Sequence, residues 1–229
     1  MWPEAAPELI RVQRELAGLN PTRWRPSGPR PLVAGCFVCF ERGASGSGRS
    51  VELGWAGASL MRADRHLVAT AVVRGAASGP YRPGLLALRE GRLLEAAVRA
   101  LPERPEVVIA NATGRDHPRG AGLTLHLGAV LDLPSVGVTD RPLLASGADP
   151  GPDRGARSPL LLDEAEVALL VRTRAGARPL VVHPGWRTDL DTAASVVLAA
   201  IRRARTPEPL RRARREARMA RAAEETALR

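Results

Sequence analysis

The sequence predicts a mixed α/β fold: an antiparallel meander of strands, then alternating helices and parallel strands, with helices flanking the sheet. Two observations carry that prediction. Three apolar segments, roughly 32–40, 51–60 and 66–74, follow one another with short connections, the arrangement of a meander. Beyond residue 80 helical spacing alternates with short apolar runs, as in helices laid against a sheet. The length of 229 residues suits one domain with a sizeable core and a short appendage.

Leu9, Ile10, Val12, Leu16 and Leu19 recur at helical spacing, so a helix is expected over 8–19, ended by the Pro-rich segment 21–31. LVAGCFVCF at 32–40 reads as a buried strand, and the Gly/Ser run 43–49 as the turn to the second strand. After the meander come a helix over 84–101, a strand at 106–110, a helix over 119–130 and a strand at 134–138. The Gly/Pro/Asp-rich stretch 145–158 reads as a long loop. VALLVRTR and RPLVVH form a hairpin closed by AGA, and a last core helix runs from Asp189 to Arg205. These readings divide the chain into a domain over 1–205 and an Arg/Ala-rich segment over 206–229. Its narrow stripe of Ala213, Ala217 and Ala220 suggests a solvated helix, the alternative being a phosphate-binding arm.

Basic residues number 34 against 24 acidic ones, a formal charge of +10, and every basic residue is arginine. That bias accompanies heavy use of Ala, Gly and Pro, so part of it reflects GC-rich coding rather than nucleic-acid binding. It excludes any chemistry that needs a lysine. With 45% of residues hydrophobic, wholesale disorder is excluded. The N-terminus has no basic region followed by an apolar run, and no stretch approaches the ~18 apolar residues of a membrane span. A soluble, cytoplasmic monomer with no membrane association is expected. Cys36 and Cys39 lie three apart on a strand, facing opposite sides about 10 Å apart, beyond the roughly 7 Å a disulfide tolerates. They read as core cysteines.

Two segments are hard to explain by packing. In PYRPGLLALRE, residues 80–90, Pro80, Tyr81, Pro83 and Gly84 make a stiff exposed turn before a helix carrying Glu90, and such a turn can wedge into a base stack. NATGRDHPRGAGLTLHLG, residues 111–128, follows a strand's carboxyl end, where α/β sheets place ligands. Together with LDLPSVGV (131–138), SPLLLDEAEVALLVRTR (158–174) and ARPLVVHPGWRTDLDTA (177–193), these segments resemble the endonuclease V family from about residue 10 to about residue 210, in unbroken order. The resemblance implies an RNase H-like fold and a Mg²⁺-dependent endonuclease that cuts near deoxyinosine or inosine, with the lesion base flipped into a pocket and the Pro-Tyr turn filling the gap.

Carried over position by position, the implied catalytic set is largely replaced. The family's first-strand aspartate falls on Phe37, the aspartate of its D-G-H-G motif on Asn111, the lysine after its G-V-A segment on Asp140, and the histidine of its S-P-G-H-R motif on Trp186. Glu90 alone matches. Mg²⁺ needs oxygen ligands anchored by carboxylates, and metal-assisted cleavage needs that ion to activate water. No metal or other cofactor is therefore expected, the alternative being a weak oxygen site of Glu90, Asn111 and Asp140. The recognition elements survive better. Tyr81, Pro83 and Gly84 match the wedge turn, His117, Pro118, Arg119 and Gly122 match the segment lining the base pocket, and Leu143 falls where the family closes it. Ala112 replaces a pocket glycine and narrows the slot. His126 reads as a packing histidine, His183 as structural, and His66 is uninformative.

Three functions remain open on this reading. One is a pseudonuclease that binds DNA or RNA in a salt-dependent way. The second is a residually active Mg²⁺-dependent nuclease acting in DNA repair or on inosine-containing RNA. The third is a protein-interaction module whose cleft Phe37 and Trp186 have made apolar.

Overall fold

The computed structural model describes residues 2–28, 31–42, 51–62 and 66–227. Thirteen elements follow in order: α1 (Ala6–Gly18), β1 (Leu32–Phe40), β2 (Leu53–Arg62), β3 (Leu67–Ala76), α2 (Leu86–Arg99), β4 (Val107–Ala110), α3 (Leu123–Leu131), β5 (Ser135–Thr139), β6 (Arg157–Leu162), β7 (Ala165–Val171), β8 (Leu180–Pro184), α4 (Leu190–Ala199) and α5 (Glu208–Ala227). The strands form one sheet in the order β3-β2-β1-β4-β5-β8-β7-β6. β1, β4 and β5 run parallel, and β2, β3 and the β6–β7–β8 group run antiparallel to their neighbours. This is the RNase H-like mixed α/β sheet. The expected Gly/Ser turn at 43–49 lies outside the described residues.

Each face of the sheet carries its own core. On one, Cys36, Val38, Ala58 and Leu60 meet Leu94, Ala97 and Val98 of α2 and Leu123 and Leu127 of α3. On the other, Val33, Ile109 and Val136 meet Ala193, Val196 and Val197 of α4 and Leu210 of α5. The period-2 alternation of a strand divides the cysteines, as the spacing predicts: Cys36 belongs to the α2 side and Cys39 packs with Trp55 and Ala217 on the α5 side, both as free thiols. Asp189 caps α4, its carboxylate accepting from the Thr192 amide at 2.8 Å.

Three features differ from expectation. β6 was hidden inside the predicted loop and the run after it. Its Pro159 is tolerated on an edge strand, and the β6–β7 turn uses Asp163 and Glu164 at φ 49° and 67°, with no Asn-Gly or Asp-Gly pair to announce it. α4 ends at Ala199, six residues before the predicted Arg205.

The third correction concerns the terminal helix. α5 is no solvated appendage: Leu210, Ala213 and Ala217 are fully buried, and 208–227 packs as part of the same unit as the preceding chain. Two glycines make that possible. A Cβ on Gly35 of β1 would lie 2.2 Å from the Pro209 carbonyl carbon, and one on Gly57 of β2 would lie 2.5 Å from the Ala213 oxygen. The far end of the helix is tied down by polar contacts. Trp55 Nε1 donates to Glu224 at 2.9 Å, Arg74 pairs with Glu224 at 2.7 Å, and Arg221 donates to the Phe40 carbonyl at 2.9 Å.

Gly35→Ala should therefore cost about 1–3 kcal/mol through overpacking against backbone that cannot yield, whereas Gly18→Ala, with nothing within 4 Å, should be neutral or slightly stabilising. Urea midpoints check this, and equal midpoints for the two variants would show that α5 does not rest on β1.

Candidate functional site

The carboxyl ends of β1 and β4 bring together Phe37, Glu90, Asn111 and Tyr81, which line one cavity of about 180 Å³ with Cys36, Val38, Leu86 and Leu94. Cys36 and Phe37 are consecutive on β1 and face opposite sides. Phe37 therefore turns toward α5, where the Arg214 and Arg218 guanidinium carbons lie 5.0 and 5.6 Å from its ring centroid. Arg214 also donates from Nη2 to Asn111 Oδ1 at 3.3 Å. Glu90 reaches the cavity from α2. Its apolar surroundings push the carboxyl up to about 8, and neighbouring Arg89 opposes that only in part. Burial also lifts the Cys36 thiol to about 12, with Glu90 adding to the shift. Among the described residues no group of three or more His, Cys, Asp or Glu is arranged to hold a metal ion.

A second cavity of about 180 Å³ adjoins the first and shares Tyr81, Leu86 and Asn111 with it; Gln13, Pro83, Gly84, Ala87, Ala112, Thr113, His117, Leu123, Thr139 and Leu143 complete its wall. Its entrance turn is held at one atom. The Gly84 carbonyl accepts from Gln13 Nε2 at 3.1 Å, from His117 Nε2 at 3.2 Å and from the Arg119 guanidinium. Gly84 has φ +73°, so glycine is needed for the turn, and a Cβ there would displace the tip of Arg119, 2.8 Å away at Nη2. The Arg119 amide donates to His117 Nδ1 at 3.2 Å, which leaves the proton on Nε2. The ring stays neutral, since burial and then Arg119 drive its pKa down to about 4. Held this way, the turn presents Tyr81 48% exposed.

The opposite lip depends on Asp116, which is fully buried and whose carboxylate accepts from the amides of Leu143, Leu144 and Ala145 at 2.7, 2.8 and 2.9 Å. These contacts fix the loop that sets Leu143, 47% exposed, at the rim. Thr139 is placed by His183, whose Nε2 lies 2.9 Å from the Thr139 hydroxyl, while that hydroxyl donates to the Arg141 carbonyl at 2.8 Å. His183 is buried and held near 4 by desolvation, a structural histidine. His126 stacks on Trp2 with centroids 4.3 Å apart. Gly122 precedes α3 and a Cβ on it would strike the Thr113 carbonyl at 2.4 Å.

Residues 25–215 match the family model of endonuclease V. The chain belongs to the endonuclease V family. It is 39% identical over 215 residues to the endonuclease V of Streptomyces avermitilis, covering 93% of this chain and 90% of that one. The crystal structure of endonuclease V from Streptomyces avermitilis superposes with a TM-score of 0.85 at 38% identity, over 98% of this chain and 96% of that one. The endonuclease V of Ciona intestinalis, in complex with a 24mer DNA containing an inosine followed by a ribo-adenosine, shares the fold at 20% identity with a TM-score of 0.78, over 93% and 96% of the two chains.

In this family member the fold gathers Phe37, Glu90 and Asn111, as the sequence suggests, but not Trp186. The Trp186 amide donates to Ser135 Oγ at 2.8 Å and its carbonyl accepts from the Ser135 amide. That sets it at the start of β5, roughly 13 Å of strand from Thr139. The indole packs with Leu16, Ala121 and Leu125, so Phe37 and Trp186 do not share a cleft. Asp140 lies at the margin, paired with Arg205, close enough to counteract the lowering of the Arg214 pKa. Sequence reasoning passed over Asp116, Gln13, Thr139 and Arg214. For Arg214 the available signal was Ala213 and Ala217, whose spacing sets one helix face on the sheet and the next residue along at its edge.

The raised Glu90 pKa fixes the sign of a stability effect. The unfolded chain releases this proton near 4.5 and the folded chain keeps it to about 8, so stability falls progressively between those values as pH rises. Glu90→Gln should gain in thermal midpoint on the parent from pH 5 to pH 9. A difference that does not change with pH would show that the carboxyl is solvated.

Proposed function

We propose that this chain is a cytoplasmic, monomeric pseudonuclease of the endonuclease V family, which binds DNA or RNA and has lost metal-dependent cleavage. The observation that carries the reading is the Arg214 guanidinium on Asn111 and over Phe37, at two positions where the resemblance assigns carboxylates. Mg²⁺ needs oxygen donors anchored by carboxylates, and the donor set does not fit it. Phe37 offers no oxygen. Asn111 Oδ1 already accepts from a cation. Asp140 is engaged by Arg205, and Glu90 is largely protonated at neutral pH. Without an activated water, no general base stands beside a scissile phosphate.

Binding is the function these residues support. Tyr81 on its pinned turn offers an exposed ring for stacking, and the adjoining cavity offers a mostly apolar slot with a few polar groups, the composition of a base pocket. The Ciona intestinalis protein, with the same fold, is in complex with inosine-containing DNA, which supports a nucleic-acid partner here. The Ala112 methyl narrows the slot and weakens selectivity for an inosine base.

Incubation of inosine-containing single strands and duplexes with Mg²⁺ or Mn²⁺ should give a gel shift without nicking. Affinity should fall steeply with salt, with a log–log slope of about −0.7 per phosphate contacted on a single strand. Metal-dependent nicking that disappears in Glu90→Ala would overturn the loss of cleavage, and the absence of any shift at low salt would overturn the binding.

A further inference from the structure

We infer that Arg214 and Arg218 form a metal-independent phosphate clamp, gripping one backbone phosphate of a bound strand beside the cavity that takes its base. The inference deepens, and rests on, the nucleic-acid reading above. The two residues lie one turn apart on the same face of α5 and both guanidiniums approach the Phe37 ring. Neither has an ion pair among the described residues, although other cations around α5 do: Arg211 with Glu208, Arg221 with Glu225, Arg74 with Glu224. Like charges at i and i+4 destabilise a helix, and a partly desolvated cation without a carboxylate is costly. An anion between them removes both penalties.

The donors are free to receive it. A guanidinium carries five N–H groups in a planar fork. Arg214 uses one of them on Asn111 at 3.3 Å, and its buried Nε has no partner. The fork matches two phosphate oxygens, which a point charge does not. Position supplies the rest of the argument. Asn111 lines both cavities, so a nucleotide whose base enters the slot behind Tyr81 and Leu143 carries its phosphate past Asn111, toward Arg214. Phe37, in place of a carboxylate, puts no negative charge directly beneath the guanidiniums and gives them an aromatic face to rest on.

The test is fluorescence anisotropy with a 20-nucleotide single strand containing one deoxyinosine, in EDTA and in Mg²⁺. The same strand is then used with a neutral methylphosphonate at each of the four linkages flanking the inosine in turn. Affinity should be equal within about twofold in EDTA and Mg²⁺. Arg214→Gln, shown to be folded by its thermal transition, should bind at least about tenfold more weakly, with a salt slope smaller by about 0.7. One methylphosphonate position should weaken the parent about tenfold and leave Arg214→Gln unaffected, because each change removes the same contact. Arg218→Gln repeats the test should Arg214→Gln fail to fold. Binding that needs Mg²⁺, or methylphosphonate losses that simply add to the arginine losses at every linkage, overturns the clamp while leaving nucleic-acid binding intact. Failure of the parent to bind under either condition overturns both.

Discussion

The close approach of α5 to the sheet, over Gly35 and Gly57, is the constraint on which the site depends. Any side chain at either glycine would meet helix backbone within 2.5 Å, so the helix lies directly on β1 and β2 with Ala213 and Ala217 as its contact surface. That contact fixes the rotation of the helix about its axis. Arg214 and Arg218 then fall over Phe37, two residues along the same strand face as Gly35. Sequence composition supplies arginines everywhere on this chain; the seat of the helix on the two glycines decides which of them come to lie over Phe37.

The rim of the second cavity is built differently, with single acceptors organising whole loops. One carbonyl, that of Gly84, holds the Tyr81 turn through three donors from α1 and the 117–119 segment. One carboxylate, that of Asp116, holds the Leu143 loop through three amides. Buried acceptors satisfied in this way are rigid, because losing any donor leaves a desolvated polar atom. The two lips of the second cavity are thus pre-set, while beside them Glu90 is the one residue that matches the catalytic set implied by the family resemblance. What stands at the margin of the cleft is cationic and aromatic, Arg214 and Arg218 over Phe37.

Most of the fold was legible because its signals are local. β1 is an uninterrupted apolar run bounded by Pro31 and by the Gly/Ser stretch, and its span agrees with expectation over 32–40. The turn that carries Tyr81 is legible from Pro80, Pro83 and Gly84 alone. β6 was not, since its turn is made by Asp163 and Glu164 in left-handed conformations that their residue types only weakly favour. Nor was the seat of α5. A contact between residues 35 and 209 has no sequence periodicity, and the alanine stripe that makes it looks weakly amphipathic until the glycines opposite are known. Trp186 was misplaced for a related reason. A motif fixes its position along the chain, whereas the antiparallel pairing of β8 with β5 sends the end of that motif to the far end of the sheet.

The central proposal is that the cleft lined by Phe37, Glu90 and Asn111 takes no divalent cation, a guanidinium lying instead on Asn111 and over Phe37 at its margin. Paramagnetic broadening tests it directly: Mn²⁺ is titrated into the uniformly ¹⁵N-labelled protein, and amide signals are followed residue by residue. The account predicts no broadening centred on the Phe37, Glu90, Asn111 and Asp140 amides beyond the general loss seen over the surface. Selective disappearance of those four signals at low Mn²⁺ concentration would contradict it.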